Sequence, residues 1–222
     1  MLSSRNYGNR NLILETLSIY KDKVLNNLFK DIPDSYCDQL KSFDQICGFI
    51  QDNSNCFMRE NLFGHVTSSA FVVNSNFTQI LFTYHAKLKK WLQLGGHCDG
   101  EHLIHNSAMR EAIEESGLKN LNFINILEFP NIYNYNEINK NTPIPFDLDI
   151  HLIPERNHEP AHFHYDIRYL LIADEKENIV ISEESLDLKW ISMQEAHLYT
   201  NESSTLRQVE KFKSLLKSLN KN

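Results

Sequence analysis

Positive charge is in short supply in this 222-residue chain: 22 Lys and Arg stand against 29 Asp and Glu, a formal net charge of −7. With no basic surplus to displace counterions, a nucleic-acid polymer or an anionic membrane is a poor partner. A small anionic ligand remains compatible if a metal ion bridges the two negative partners. Cysteine is also scarce. Cys37, Cys47, Cys56 and Cys98 form no C-x-x-C pair and no dense framework, which reads as free thiols in a reducing compartment. No apolar run approaches the ~18 residues that span a bilayer. The first residues, MLSSRNYGNRNLILETLSIY, carry polar and charged breaks where a signal peptide needs an apolar core. The expected location is therefore cytoplasmic. Internal repeats and low-complexity segments are absent from the sequence.

The chain does hold enough apolar residues for a core, 41% of the total, in a length that suits one domain with an extension. Ile13, Leu17, Tyr20, Val24 and Leu28 follow helical spacing. After a break at Ile32-Pro33-Asp34, a second stripe runs Tyr36, Leu40, Phe43, Cys47 and Ile50, with Asp34 a natural N-cap. Two such helices need a partner surface, either the main domain or a second copy, so a homodimer is open. They place an N-terminal helical extension over residues 1–60 and a main domain over 61–222.

From His65 the pattern changes to β-branched and aromatic runs. VTSSAFVV and QILFTY flank the turn Asn74-Ser75-Asn76 and read as a hairpin. WLQL runs into Gly95-Gly96, and a helix from about His105 to Ser116 stops at Gly117, the expected residue after a helix end. Further strands are expected at FINILEF, DLDIHLI, HFHYDIRYLLIA, NIVI and LDLKWIS. A last amphipathic helix carries Leu206, Val209, Phe212, Leu216 and Leu219. The whole reads as an α/β chain with antiparallel or mixed pairing.

Chemistry concentrates at Gly95–Leu118. In REAIEESG, Glu111, Glu114 and Glu115 cluster on one side of the helix, because residues three and four apart are neighbours there. At ~5 Å and an effective dielectric near 20, each like-charged pair costs about 3 kcal/mol. Such a face is either fully solvated or holds a cation. Carboxylates together with backbone carbonyls brought close by Gly95-Gly96 make a hard oxygen set suited to Mg²⁺ or Mn²⁺.

These residues resemble the Nudix hydrolase signature, G-x5-E-x7-R-E-U-x-E-E-x-G-U with U apolar. Gly96, Arg110, Glu111, Ala112, Glu114, Glu115, Gly117 and Leu118 match in one register. The signature's first Glu falls on His102, with Glu101 one position earlier. The resemblance implies a Nudix-like α/β/α sandwich with a mixed sheet, and metal-dependent cleavage of the diphosphate bond in a nucleoside diphosphate linked to a group X. It implies that Glu111, Glu114, Glu115 and the Gly96 carbonyl hold the metal, and that Arg110 orients the glutamates. The base that accepts the proton of the attacking water would be a helix glutamate or a later one, Glu184, with Glu183 its rival. The alternative is a catalytically weak Nudix-fold nucleotide-binding or regulatory protein.

A second polar group follows from period-two alternation. Asp147, Asp149 and His151 share one strand face; His162, His164, Asp166 and Arg168 share another. Paired, they would form one wall. It reads as a substrate pocket, a solvated sheet face or a distinct second metal site. His162, His164 and Arg168 are the substrate-binding candidates here, with Lys89 (or Lys90) and His97 beside the Gly-Gly loop.

Overall fold

The computed structural model describes residues 9–30, 32–133, 142–156 and 159–219. Residues 1–8, on which the signal-peptide reading partly rests, lie outside the described residues. α1 (Asn11–Ile19) continues through a π-helical stretch, Tyr20–Leu25, into the short α2 (Asn26–Leu28). Ile13, Leu17, Tyr20 and Val24 are buried as expected. The wider π turn then adds a residue to the repeat, so the stripe passes to Leu25 and Phe29, and Leu28 is only half-buried. α3 (Pro33–Asp52) starts two residues earlier than an Asp34 cap requires. Pro33 takes its first position, where the missing N–H is not needed, and Ile32 stands at the cap.

Eight strands form one mixed sheet: β1 (Gly64–Asn74), β2 (Gln79–His85), β3 (Trp91–Leu92), β4 (Leu94–His97), β5 (Asn122–Phe123), β6 (Asp147–Ile153), β7 (His162–Ala173) and β8 (Ser185–Ser192). β1 lies parallel to β7 along its whole length, Gly64 opposite Phe163 through Asn74 opposite Ala173. Its other edge is shared between β2 near Val73 and β4 over Thr67–Ala70. β6 lies antiparallel on the far side of β7.

Two expected strands differ. Of FINILEF only Phe123 lies in a strand, β5, and the chain then turns into a 3₁₀ segment, Ile126–Glu128, where the Asn125 side chain accepts a hydrogen bond from the Leu127 N–H. NIVI is not a strand. Its Val180 N–H instead donates to the Ser116 carbonyl, closing the end of the signature helix, and Val180 and Ile181 stay exposed. β-Branched composition alone misled there, since no neighbouring strand offers these residues a pairing edge.

Helices cover both faces. α4 (Ile104–Ser116) packs behind β1 through the buried Ala108 and Ala112. On the same face α3 stacks Phe49 on Tyr165 at 3.9 Å. α6 (Ser203–Leu219), which follows the short α5 (Ala196–Tyr199), lies on the opposite face, with Phe212 against Phe71. Leu152 of β6 is exposed, although it pairs with Phe163 on β7. The N-terminal helices close the free edge of β6: the Gln39 amide donates to the Leu148 carbonyl at 2.6 Å and accepts from the Leu148 N–H at 3.0 Å. A side chain thus supplies the ladder bonds that an edge strand lacks.

At that edge lies a buried charge cluster. Asp147 accepts Lys211 Nζ at 2.9 Å, Arg207 at 2.9 Å and Arg168 at 3.3 Å. Arg168 also reaches Asp149 at 3.0 Å and Asp166 at 2.7 Å. Three carboxylates thus meet three cations. Burial alone would raise the Asp147 carboxyl, but Arg207 and Lys211 outweigh it and hold the group below the usual range. Lys211, wholly buried and sharing one carboxylate with two guanidiniums, is pushed down to about 8. An unfolded aspartate takes its proton near pH ~3.9. The stability contributed by Asp147 is therefore full above that pH and lost as pH falls through the lower folded value. Asp147→Asn leaves buried cations without their shared partner and is expected to cost about 3–5 kcal/mol in urea unfolding at neutral pH, with a flatter acid limb. A variant matching the parent midpoint and acid profile would contradict this.

Candidate functional site

The register of four strands builds the site. Residues directly opposite one another share a face, so His97, Thr67, Asp166 and Asp149 form one row across β4, β1, β7 and β6. Gly95, Ser69, Arg168 and Asp147 form the next, and His65, His164 and His151 the row before. These rows floor a cleft of about 1120 Å³ lined also by Gly96, Glu115, His162 and Glu184. A smaller recess of about 290 Å³ adjoins it, lined by Gly96, His97, Glu111, Glu114, Glu115 and Glu184. The helix carboxylates and the polar wall thus belong to one concavity.

α4 presents its glutamates unequally. Glu115 is 7% exposed and accepts the Gly95 N–H at 2.9 Å. Burial is the main cause that lifts its carboxyl to about 8, and the charges of Glu111 and Glu184 add to it. Glu111 is raised as well, by burial first, while Arg110 opposes the rise. Arg110 donates to Glu111 at 2.7 Å, to Glu114 at 3.1 Å and to the His97 carbonyl at 2.7 Å, so one fork ties the helix to β4. Glu114 stays on the solvent side. Gly117, at φ +70°, ends the helix, and its N–H donates to the Ile113 carbonyl at 2.8 Å.

Glu184 lines both the cleft and the recess, whereas Glu183 lines neither. Glu101 and His102 lie outside both. The Glu101 carboxylate accepts the Leu103 N–H at 2.8 Å and so shapes the turn that leads into α4. His97, His162 and His164 face the cleft. Arg168 reaches it too, but its donors are engaged by Asp147, Asp149, Asp166 and Ser204, which makes it part of the floor. Lys89 is exposed and does not line the cleft, although Lys87 and Leu88 of the same turn do. Lys90 lines the cleft but is paired with Glu202 at 2.6 Å.

Several residues at the site escaped sequence reasoning. Arg59, in the turn before β1, lines both concavities, and Arg156 lines the cleft wall. His65, Thr67 and Ser69 alternate along β1 and form a polar face, a period-two signal that the reading of VTSSAFVV as a β-branched and aromatic run did not use. The Thr67 and Ser69 hydroxyls donate to Asp166 at 3.1 and 2.9 Å.

A family model described as the NUDIX domain matches residues 64–212. The chain belongs to the Nudix hydrolase family. Among solved structures, this Nudix chain is similar to an Ap4A hydrolase binary complex from C. elegans, at 13% identity over 69% of this chain and 98% of that one, with a TM-score of 0.48. It is similar to a NUDIX-family hydrolase from Clostridium perfringens, at 24% identity over 68% and 97% of the respective chains, TM-score 0.46. A Nudix hydrolase from M. smegmatis is similar at 13% identity over 70% and 88%, TM-score 0.47. No curated protein matches the chain.

The two glycines of the Nudix loop do different work. A Cβ on Gly95 would lie 2.6 Å from the Ser69 Cα and 2.7 Å from the Ser68 carbonyl, at a φ of +154°. The three atoms nearest a Cβ on Gly96 would all belong to the Glu111 carboxylate, at 2.6–2.7 Å. Gly95→Ala is therefore expected to lose about 1–3 kcal/mol through backbone strain. Gly96→Ala should lose less, about 1 kcal/mol, because the nearest atoms in its way are the end of one side chain, held by Arg110, and not backbone. Urea denaturation checks the order; equal losses would contradict it.

Proposed function

We propose that this Nudix protein cleaves the diphosphate bond of a nucleoside diphosphate linked to a group X, with Mg²⁺, or Mn²⁺ in its place, as the resident ion. The observation that carries the reading is the buried Glu115 carboxylate with the half-buried Glu111 beside it, both lining a recess with the Gly96 backbone next to a polar cleft. Glu111 sits where a Cβ on Gly96 would be, so the chain keeps that space for a carboxylate. The donor set is all oxygen, with Glu114 at the rim, and it fits a hard ion that retains several waters. A bound divalent ion would screen the phosphate charges and lower the pKa of its water.

The chain's own groups supply the rest. Arg110 fixes the rotamers of Glu111 and Glu114. Glu184 faces the same glutamates from the loop before β8 and is the candidate that accepts the proton of the attacking water. Arg59 and Arg156 stand where they can meet the outer phosphates, and the wall of His162, His164 and Asp149 borders the space for the remainder of the substrate. We place this activity in the domain of residues 61–222, with residues 1–60 as its helical extension, and leave a homodimer through the helices open. Four unpaired thiols support a cytoplasmic setting. No helix among the described residues is long and apolar enough to cross a membrane.

Two variants test the reading on a panel of nucleoside diphosphate derivatives with Mg²⁺. Glu115→Gln is expected to lower turnover at least ~100-fold while the fold is kept, a loss of the size seen when a group acting on transition-state charge is removed. Glu184→Gln should lower kcat more than it changes KM. Full activity of Glu115→Gln under excess Mg²⁺ would sink the proposal. Tight binding of a nucleotide with no turnover by the parent protein would favour the regulatory alternative.

A further inference from the structure

Beside the carboxylates lies a second group with different chemistry. Among the described residues, His65, His162 and His164 bring three ring nitrogens within 4.8 Å of one another, and no other group of three or more His, Cys, Asp or Glu does so. Each comes from a rigid strand: His65 opens β1, His164 is its direct partner on β7, and His162 lies two residues earlier on the same face.

Three observations separate this cluster from a packed set of core histidines. Among the described residues neither ring nitrogen of His65 makes a hydrogen bond, although the side chain is 2% exposed. A buried, unsatisfied polar group of this kind costs about 1–3 kcal/mol. The His162 Nδ1 lies 2.9 Å from the Pro160 carbonyl, which can only accept, so the neutral ring donates from Nδ1 and turns its Nε2 lone pair toward the cluster. A ligand histidine is held in this way when its other nitrogen donates to a backbone carbonyl. Finally, that Nε2 lies 3.3 Å from His164 Nε2. Two nitrogens each ~2.05 Å from one tetrahedral ion would stand roughly 3.3 Å apart.

We propose that His65, His162 and His164 form a binding site for a single borderline transition-metal ion of the Zn²⁺ class, distinct from the oxygen cradle on α4. Neutral imidazoles suit such an ion and not Mg²⁺. His162 and His164 line the cleft while His65 lies beneath it, so a fourth coordination position opens toward the cleft. There a water or a phosphate oxygen completes the set. Nothing here depends on the hydrolytic reading, because the two sites share no ligand.

The full-length protein, stripped with a chelator, is titrated with Zn²⁺ by calorimetry in excess Mg²⁺, and with Co²⁺ by visible spectroscopy. One Zn²⁺ per chain is expected, with intense four-coordinate Co²⁺ bands. His162→Ala and His164→Gln should each weaken Zn²⁺ at least ~100-fold, the upper end of what loss of even an outer partner costs. Glu115→Gln should leave Zn²⁺ affinity unchanged. Absence of stoichiometric Zn²⁺ binding by the parent would overturn the proposal, as would affinity lost in Glu115→Gln and kept in the histidine variants. Circular dichroism checks each variant, and the Co²⁺ spectrum of the parent decides without any variant: weak six-coordinate bands would also overturn it.

Discussion

The buried charges around Asp147 are the constraint on which the rest of the molecule depends. Asp147, Asp149 and Asp166 meet Arg168, Arg207 and Lys211 in one closed group. Removing any member would strand a buried charge. Lys211 also donates to the Phe146 carbonyl at 2.6 Å and to the Tyr20 hydroxyl at 3.1 Å. The cluster therefore ties the C-terminal helix, the first helix and strands β6 and β7 to one point. Its upper surface is the floor of the cleft. Pinning these elements fixes the strand register, and the register in turn sets which side chains face the ligand space.

Above that floor the cleft changes character along its length. One end, built by α4 and the Gly95-Gly96 turn, offers carboxylates whose pKa values are raised by burial and by each other. Directly beside it, from His97 in the recess to His65 and His164, the lining is imidazole. Burial is the main cause that lowers His164 to about 2 and His97 to about 3, and the neighbouring histidines push in the same direction. Imidazoles and carboxylates side by side give two donor sets of unlike hardness inside one cavity.

The parts legible in the sequence were those encoded locally. Gly96, Arg110, Glu111, Glu114, Glu115 and Gly117 lie within one turn and one helix, so their spacing alone places them together. The polar wall of β6 and β7 was legible for a similar reason, since simple alternation puts Asp149, His151, His164 and Asp166 on a common face. What required the fold was long-range pairing. His65, Thr67 and Ser69 meet their partners across a parallel contact about a hundred residues away in sequence, and no local period announces that. Arg207 and Lys211 were hidden in a helix read only for its apolar stripe, although their i, i+4 spacing aims both at Asp147. In the turn at His85–Lys90, Lys87 and Lys90 line the cleft and Lys89 does not, a distinction that the run of like charges could not make.

The central claim is that α4 and the Gly-Gly turn form a hard-cation cradle at the working end of the cleft. Anomalous X-ray scattering from crystals soaked in Mn²⁺ tests it most directly. A peak bounded by the Glu111 and Glu115 carboxylates and the Gly96 carbonyl is the predicted result. No peak at that position, or Mn²⁺ found only among the histidines, would contradict the account.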